Sequence, residues 1–304
     1  MPWTAADIPG QSGKHAIVTG TGGLGYETAL ELTRHGVDVI LAGRNAAKGA
    51  QSLAKIRAAV PAAKIAFEEL DLADLASIRA FAARMNLRGT PLDLLVNNAG
   101  VMAFPTRRTT TDGFETQFGT NHLGHFALTA QLLPLLRAAP HPRVVTVSSH
   151  VHHRGKIRFD DLQAAGRYTP NRAYGQSKLA NLLFTLELQR RSDAKGWNIM
   201  ANAAHPGGAA TELIPNGPGT SGLLGWLMAR FGGLVLQPPA DGALPQLFAA
   251  TAPDARPSTY YGPMHRFGLR GPPGIARMSA RARDKTVAAR LWKVSEKLTG
   301  VRFA

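Results

Sequence analysis

The feature that most constrains the fold of this chain is an alternation. Through the first two-thirds of the 304 residues, short runs rich in β-branched residues are separated by longer helical patterns. The apolar periodicities predict strands near 15–19, 37–42, 64–69, 92–96, 143–148 and 198–204. Between them they predict helices near 24–35, 46–59, 74–86, 113–137 and 172–195, the last carrying Leu179, Leu182, Leu183, Leu186 and Leu188 along an apolar face. Strand–helix–strand units in this rhythm form parallel sheets with helices on both faces. The expectation is therefore an α/β fold, a doubly wound parallel sheet of about seven strands. In such a sheet ligands bind beyond the carboxyl ends of the strands, where the strand order reverses, so the first and fourth strand ends should share a crevice.

The rhythm changes after residue 206. A Gly/Pro-rich, apolar stretch from Pro215 to Pro239 contains Leu223, Leu224, Trp226, Leu227, Met228 and Phe231. Its place just past the sixth strand points to a substrate lid over 207–239, although a dimer contact or a membrane-surface helix would use the same residues. The remainder, 253–304, reads as a C-terminal extension whose final helix, near 284–298, spaces Val287, Leu291, Val294 and Leu298 for packing on the core. With 44% hydrophobic residues the chain can bury one large core, and a single domain over 1–304 is expected.

Composition removes several function classes. There is no cysteine, which excludes disulfides, thiolate metal sites and cysteine nucleophiles. The first apolar segment, His15 to Val18, is too short to span a bilayer, and the N-terminus lacks the order of a secretion signal, so no integral membrane segment and a cytoplasmic location are expected. Lys+Arg outnumber Asp+Glu 35 to 20, a net charge of +15. The basic residues are scattered, as at Arg107-Arg108 and Arg190-Arg191, without forming a stripe, so nucleic acid is not an expected partner. A phosphorylated small molecule benefits from the same positive field.

Five motifs carry chemistry. The first strand runs into Thr19-Gly-Thr-Gly-Gly-Leu-Gly25, where glycines let the backbone approach a pyrophosphate lying at a helix N-terminus. This turn makes Gly20, Thr21, Gly23, Leu24 and Gly25 cofactor-binding candidates of a Rossmann-type site, with tight packing as the other reading. The second strand ends Gly43-Arg44-Asn45. An acidic residue here would accept from an adenosine 2′-hydroxyl; Arg44 instead favours a 2′-phosphate, so NADP(H) is expected in preference to NAD(H), with Asn45 beside it. The third strand ends Leu70-Asp71-Leu72, which puts Asp71 and Leu72 near an adenine, and the fourth delivers Asn97-Asn98-Ala99-Gly100 into the crevice. Finally Ser148-Ser149 closes the fifth strand and Tyr174-Gly-Gln-Ser-Lys178 follows on a helix, where residues four apart share a face. An ammonium one turn from a phenol is expected to lower the tyrosine's pKa toward the working range.

In this order the motifs resemble the short-chain dehydrogenase/reductase superfamily, specifically a bacterial member of its retinol-dehydrogenase-like branch, over roughly residues 10–300. Further supporting phrases are Thr120-Asn-His-Leu-Gly-His-Phe, Phe159-Asp-Asp-Leu and His205-Pro-Gly. The resemblance implies that Ser149 polarises a substrate carbonyl, that Tyr174 transfers the proton, and that Lys178 binds the nicotinamide ribose and tunes the tyrosine. It implies that Asn121 holds a water linking Lys178 to solvent, and that Pro206, Gly207, Ala209 and Thr211 meet the carboxamide and phosphate of the cofactor. Asn98, Ala99 and Gly100 would line the cofactor as well. Two departures from the family pattern stand out: the loop from Thr19 to Gly25 is one residue shorter than Thr-Gly-x-x-x-Gly-x-Gly, and Gly22 stands where NADP-binding members often carry a basic residue.

The histidines at 122, 125, 150, 152 and 153 have no acidic or thiol partner placed with them and are read as packing or pocket residues, so no metal is expected. Tyr260, Tyr261 and Trp226 are read as aromatic core, with pocket lining as the other reading. The expected activity is an NADP(H)-dependent reductase or dehydrogenase acting on a small apolar aldehyde, ketone or alcohol, from a chain that could form a homo-oligomer. The alternative is a catalytically silent NADP-sensing protein on the same fold, a class that typically lacks the tyrosine or the lysine.

Overall fold

The computed structural model describes residues 2–102, 104–208 and 237–303. Most of the expected lid, including Trp226, Ala209 and Thr211, lies outside the described residues. Six parallel strands appear where the periodicity places them: β1 (His15–Thr19), β2 (Asp38–Gly43), β3 (Ile65–Glu69), β4 (Leu94–Asn97), β5 (Arg143–Val147) and β6 (Met200–Ala204). Two more strands extend the sheet: β7 (Tyr260–His265) runs parallel to β6, and β8 (Arg270–Ile275) returns antiparallel to β7. The order is β3-β2-β1-β4-β5-β6-β7-β8, so the expected count of about seven becomes eight with one antiparallel edge. The reversal of strand order falls between β1 and β4, where the crevice was expected.

Alternation along each strand sorts the core into two layers. Ala16, Val18, Val39, Leu41, Leu94 and Val96 face one side, under α1 (Gly23–Arg34), α2 (Ala46–Ala59) and α8 (Pro239–Thr251). Ile17, Ala42 and Leu95 face the other, under α3 (Leu75–Arg88), α5 (His125–Gln131), α6 (Leu133–Ala138), α7 (Pro170–Lys195) and α9 (Lys285–Thr299). Helix α9 lies along α7, and its Trp292 stacks on Phe184 at 5.7 Å. As a result α7 is buried on nearly all sides rather than along one apolar stripe.

The single helix expected over 113–137 is broken. Gly113 has positive φ, one turn of helix α4 (Thr116–Phe118) is capped by the Glu115 carboxylate, and a π-helical turn spans Gly119–Gly124 before α5 begins. Pro134 then opens α6, where its missing N–H costs nothing. The C-terminal helix begins at Lys285 because the Asp284 side chain accepts from the N–H groups of Thr286 and Val287. No helix among the described residues is long and apolar enough to cross a membrane.

Candidate active site

One wall of the crevice is the turn from β1 into α1. Gly20 takes φ +95°, a conformation that side chains disfavour. Five residues later Gly25 lies so close to the Gly20 carbonyl oxygen that a Cβ would be driven into it and into the Asn98 amide. This contact locks the shortened turn around the start of α1, whose N-cap Gly22 contributes no side-chain cap. The first N–H groups of α1 are thus open to an anion, and the dipole of the helix favours one. Of the expected cofactor residues, Gly23 and Leu24 fit a pyrophosphate in this respect, whereas the Gly20 and Gly25 N–H groups donate to the Ala42 and Gly22 carbonyls. Gly43, at the end of β2, leaves room beside Thr21, whose Cγ2 would lie 2.8 Å from an added Cβ. Arg44 follows, exposed and without an ion pair among the described residues.

Two expected cofactor residues use their side chains locally. The Asn45 amide oxygen accepts from the Lys48 N–H at 2.9 Å and caps α2. The Asp71 carboxylate accepts from the Ala73 N–H at 2.9 Å. Leu72 is buried, with its carbonyl packed on Gly124.

The opposite wall is dense with buried polar side chains. Thr19 Oγ1 accepts from the N–H groups of Asn98 (2.9 Å) and Ala99 (3.0 Å), and the Asn98 amide donates to the Thr19 carbonyl at 2.7 Å. These bonds stitch the ends of β1 and β4 together. A Cβ on Gly100 would stand 3.1 Å from Asn121 Oδ1 and 3.6 Å from Lys178 Nζ, so the fourth-strand turn reaches the base of the Tyr174–Lys178 pair. The Asn121 amide is fully engaged: Oδ1 accepts from the Val101 N–H at 2.8 Å, while Nδ2 donates to the Val101 carbonyl and to Ser177 Oγ, each at 3.0 Å.

Helix α7 presents Tyr174 and Lys178 on one face, with Lys178 Nζ 5.7 Å from the centre of the phenol ring. The lysine donates to the Val147 carbonyl at 3.0 Å, and Ser148 Oγ donates back to the Lys178 carbonyl at 2.8 Å, which fixes α7 against the end of β5. Burial dominates the protonation of both groups. It draws Lys178 down to about 8. It pushes the Tyr174 phenol up to about 12, against a hydrogen bond with Ser149 that pulls the other way. This reverses the direction expected from the neighbouring ammonium: the loss of hydration outweighs Lys178 at this separation.

Beyond β6 the His205 N–H donates to the Tyr261 carbonyl, and His205 Nδ1 accepts from the Gly207 N–H at 3.2 Å. Gln237 donates to the Pro206 carbonyl at 2.7 Å, holding that turn from the far end of the insertion. The Pro206–Gly207 turn is thereby fixed beyond the end of β6, with Gly207 against Pro263 and Leu269, and Tyr260 and Tyr261 are buried core residues.

Three contributors carry no sequence signal of their own. Gln246 on α8 donates to Asn98 Oδ1 at 3.3 Å and also bonds Thr28 on α1. His152 Nδ1 donates to the Ser149 carbonyl at 2.8 Å, while its Nε2 accepts from the Ser279 N–H at 3.2 Å. His125 joins Thr19 to Asn121. The links from Gln246 to Asn98, from His152 to Ser279 and from His125 to Thr19 span elements far apart in the chain, and no local spacing encodes them. No group of three or more histidine or acidic side chains among the described residues is arranged to hold a metal ion.

A crevice at the strand-order reversal, with a glycine turn on one side and Ser149, Tyr174 and Lys178 on the other, defines a class of nicotinamide-dependent oxidoreductases, and a family profile described as short chain dehydrogenase matches residues 14–217. The chain belongs to that family, within its retinol-dehydrogenase-like branch. It is 43% identical to retinol dehydrogenase 12 of Mus musculus, over 99% of this chain and 90% of that protein. It is likewise 43% identical to polyprenol dehydrogenase of Mus musculus, over 96% of this chain and 86% of the relative. Among solved structures, an uncharacterized protein from Mycobacterium Paratuberculosis superposes with a TM-score of 0.81 at 43% identity, covering 100% of both chains.

Proposed function

We propose that the chain is an NADP(H)-dependent carbonyl reductase or alcohol dehydrogenase for apolar substrates, with Tyr174 as proton donor and acceptor, Lys178 as its partner and Ser149 as the group that orients the substrate oxygen. The observation that carries this reading is the convergence of a hydrogen bond from Ser149 and the Lys178 ammonium on one buried phenol, with the Gly100 turn beside Lys178. The cofactor, when bound, supplies or takes up the hydride.

The chain's own residues then have defined tasks. At neutral pH the Tyr174 phenol, held near 12, keeps its proton, the form needed to protonate a carbonyl oxygen. The hydroxyl of Ser149 fixes that oxygen beside it. Lys178, held by the Val147 carbonyl, stands where its charge can steady the phenolate left behind. Gly20, Thr21, Gly23, Leu24 and Gly25 would hold the pyrophosphate, Asn98, Ala99, Gly100, Pro206 and Gly207 the nicotinamide half. Asn45, Asp71 and Leu72 would border the adenosine through backbone and packing. The preference for NADP(H) rests on Arg44, a guanidinium at the end of β2 without an ion pair among the described residues and with no acidic residue next to it in the chain. The substrate class rests on two relatives named for long apolar alcohols, retinol and polyprenol.

The test is NADPH-dependent turnover of an aldehyde and ketone panel by wild type and by Tyr174→Phe, with NADPH affinity followed by fluorescence. The variant should lose at least about a hundredfold in kcat while still binding NADPH. Full turnover by the variant overturns the assignment.

A further inference from the structure

We infer that His125 is a positioning residue: a neutral imidazole in one enforced tautomer that holds the Asn121 backbone in register with the cofactor turn. The inference rests on the reading of Asn121 and the β1 turn as parts of one active site.

Its geometry leaves a single arrangement of protons. His125 Nδ1 lies 3.0 Å from the Asn121 carbonyl oxygen, which can only accept, so Nδ1 carries the hydrogen. His125 Nε2 lies 2.9 Å from Thr19 Oγ1. That hydroxyl already accepts from two backbone N–H groups, those of Asn98 and Ala99, so its lone pairs are taken and it must donate its own proton. The nearest acceptor is the bare Nε2, at 2.9 Å against 3.3 Å for the Val96 carbonyl. Both ring nitrogens are thus satisfied only by the neutral, Nδ1-protonated form.

The surroundings keep it neutral. His125 is fully buried, and burial draws it down to about 4, with the Lys178 ammonium adding to the effect. The other ionisable neighbour, His122 in the π-helical turn, is itself held near 3 and uncharged. No carboxylate among the described residues acts on the ring to favour its charged form.

The ring also sits where a helix needs help. The π-helical turn over Gly119–Gly124 is widened relative to an α-helix, and such turns persist where something compensates them. The His125 side chain supplies an extra donor to Asn121, the residue in that turn whose amide faces Val101 and Ser177. One imidazole therefore ties Thr19, which carries Asn98 and Ala99, to Asn121, which stands beside Gly100 and Lys178. Loss of the ring frees the two halves to shift by fractions of an ångström, a scale on which catalysis is sensitive.

Two variants and one spectrum test this. His125→Phe fills the space but removes both bonds; His125→Asn retains a donor at the Nδ1 position. Expected for His125→Phe is a fall in kcat of at least about tenfold and a displaced pH profile of kcat, with the NADPH Kd changing no more than about threefold. His125→Asn should recover most of kcat. Unchanged kcat and pH profile in His125→Phe, or no recovery in His125→Asn, overturns the inference. Should the phenylalanine variant not fold, nitrogen-15 histidine spectra of wild type decide: one resonance, absent in His125→Asn, must show the Nδ1-protonated neutral ring from pH 8 to pH 5.5, and an Nε2-protonated or cationic ring overturns the proposal. Tyr174→Phe measured alongside separates the two readings, because an active Tyr174→Phe sinks the site itself, whereas an inactive one beside a normal His125→Phe sinks only the role of the histidine.

Discussion

The two walls of the crevice hold themselves together in different ways. On the β1–β2 side the close contacts are backbone against backbone, as where Gly25 meets the Gly20 carbonyl, and the cation at its rim is exposed. On the side of β4, β5 and α7, buried side chains carry the contacts: Asn121, Ser148, Ser177, Lys178 and four histidines each saturate a specific neighbour. The first wall is defined by what is missing, the Cβ atoms that would fill it. The second is defined by a chain of protons that must each be in the right place. The first should be sensitive to bulk, the second to pH.

Acid gives the largest separation between them. His122, His125, His152 and His205 are drawn down to about 3, 4, 4 and 3 because they are buried, and all four belong to the polar wall. A folded-state pKa below the unfolded value near 6.5 means that the unfolded chain binds more protons between the two. Stability is therefore full above about pH 6.5 and is lost as the pH falls toward about 4, on the order of 3 kcal/mol for one such histidine. Urea midpoints followed by tryptophan fluorescence from pH 8 to pH 4.5 should fall steadily below about pH 6.5. A flat profile would show that the polar wall is not held by neutral imidazoles.

Gly25→Ala attacks the other wall. The added methyl meets the Gly20 carbonyl oxygen, so a destabilisation of about 1–3 kcal/mol and at least about a tenfold loss of NADPH affinity are expected, read by thermal melts and fluorescence titration. An alanine variant that binds NADPH normally would show that the turn is not shaped by that contact. Smallest in its effect on the fold is Arg44→Asp: exposed, it should change stability by no more than about 0.5 kcal/mol while weakening NADPH by about tenfold or more relative to NADH. Equal weakening of both nucleotides would remove the basis for the NADP(H) preference.

Much of this was legible before any coordinates. Strands β1 to β6 announce themselves through β-branched runs at the spacing of βαβ units, and Tyr174 and Lys178 through the periodicity of one helix turn. Strands β7 and β8 do not, because Tyr260-Tyr-Gly-Pro and Arg270-Gly-Pro-Pro-Gly carry turn residues and become strands only by pairing with what precedes them. The break at Gly119–Gly124 is likewise hidden in a sequence with helical apolar spacing. His125, His152 and Gln246 act through partners up to 222 residues away, at the Leu24 carbonyl for the glutamine, and no local pattern encodes that. The upward shift of the tyrosine is hidden for a related reason: the helix repeat reports the nearby ammonium but not the depth of burial.

The eighth strand has a consequence of another kind. An open sheet ends in two margins, each able to recruit a strand from a second molecule. Here β8 closes one margin with Pro272 and Pro273, so two of its six residues have no N–H to offer a newcomer. At the other margin β3 carries Glu68, engaged by Arg84 and Arg88, and the exposed Glu69. The same short hairpin that accepts the Gly208 N–H at the Leu269 carbonyl also guards the chain against templated self-association, so that replacing its prolines with β-branched residues would trade colloidal safety for a longer ladder.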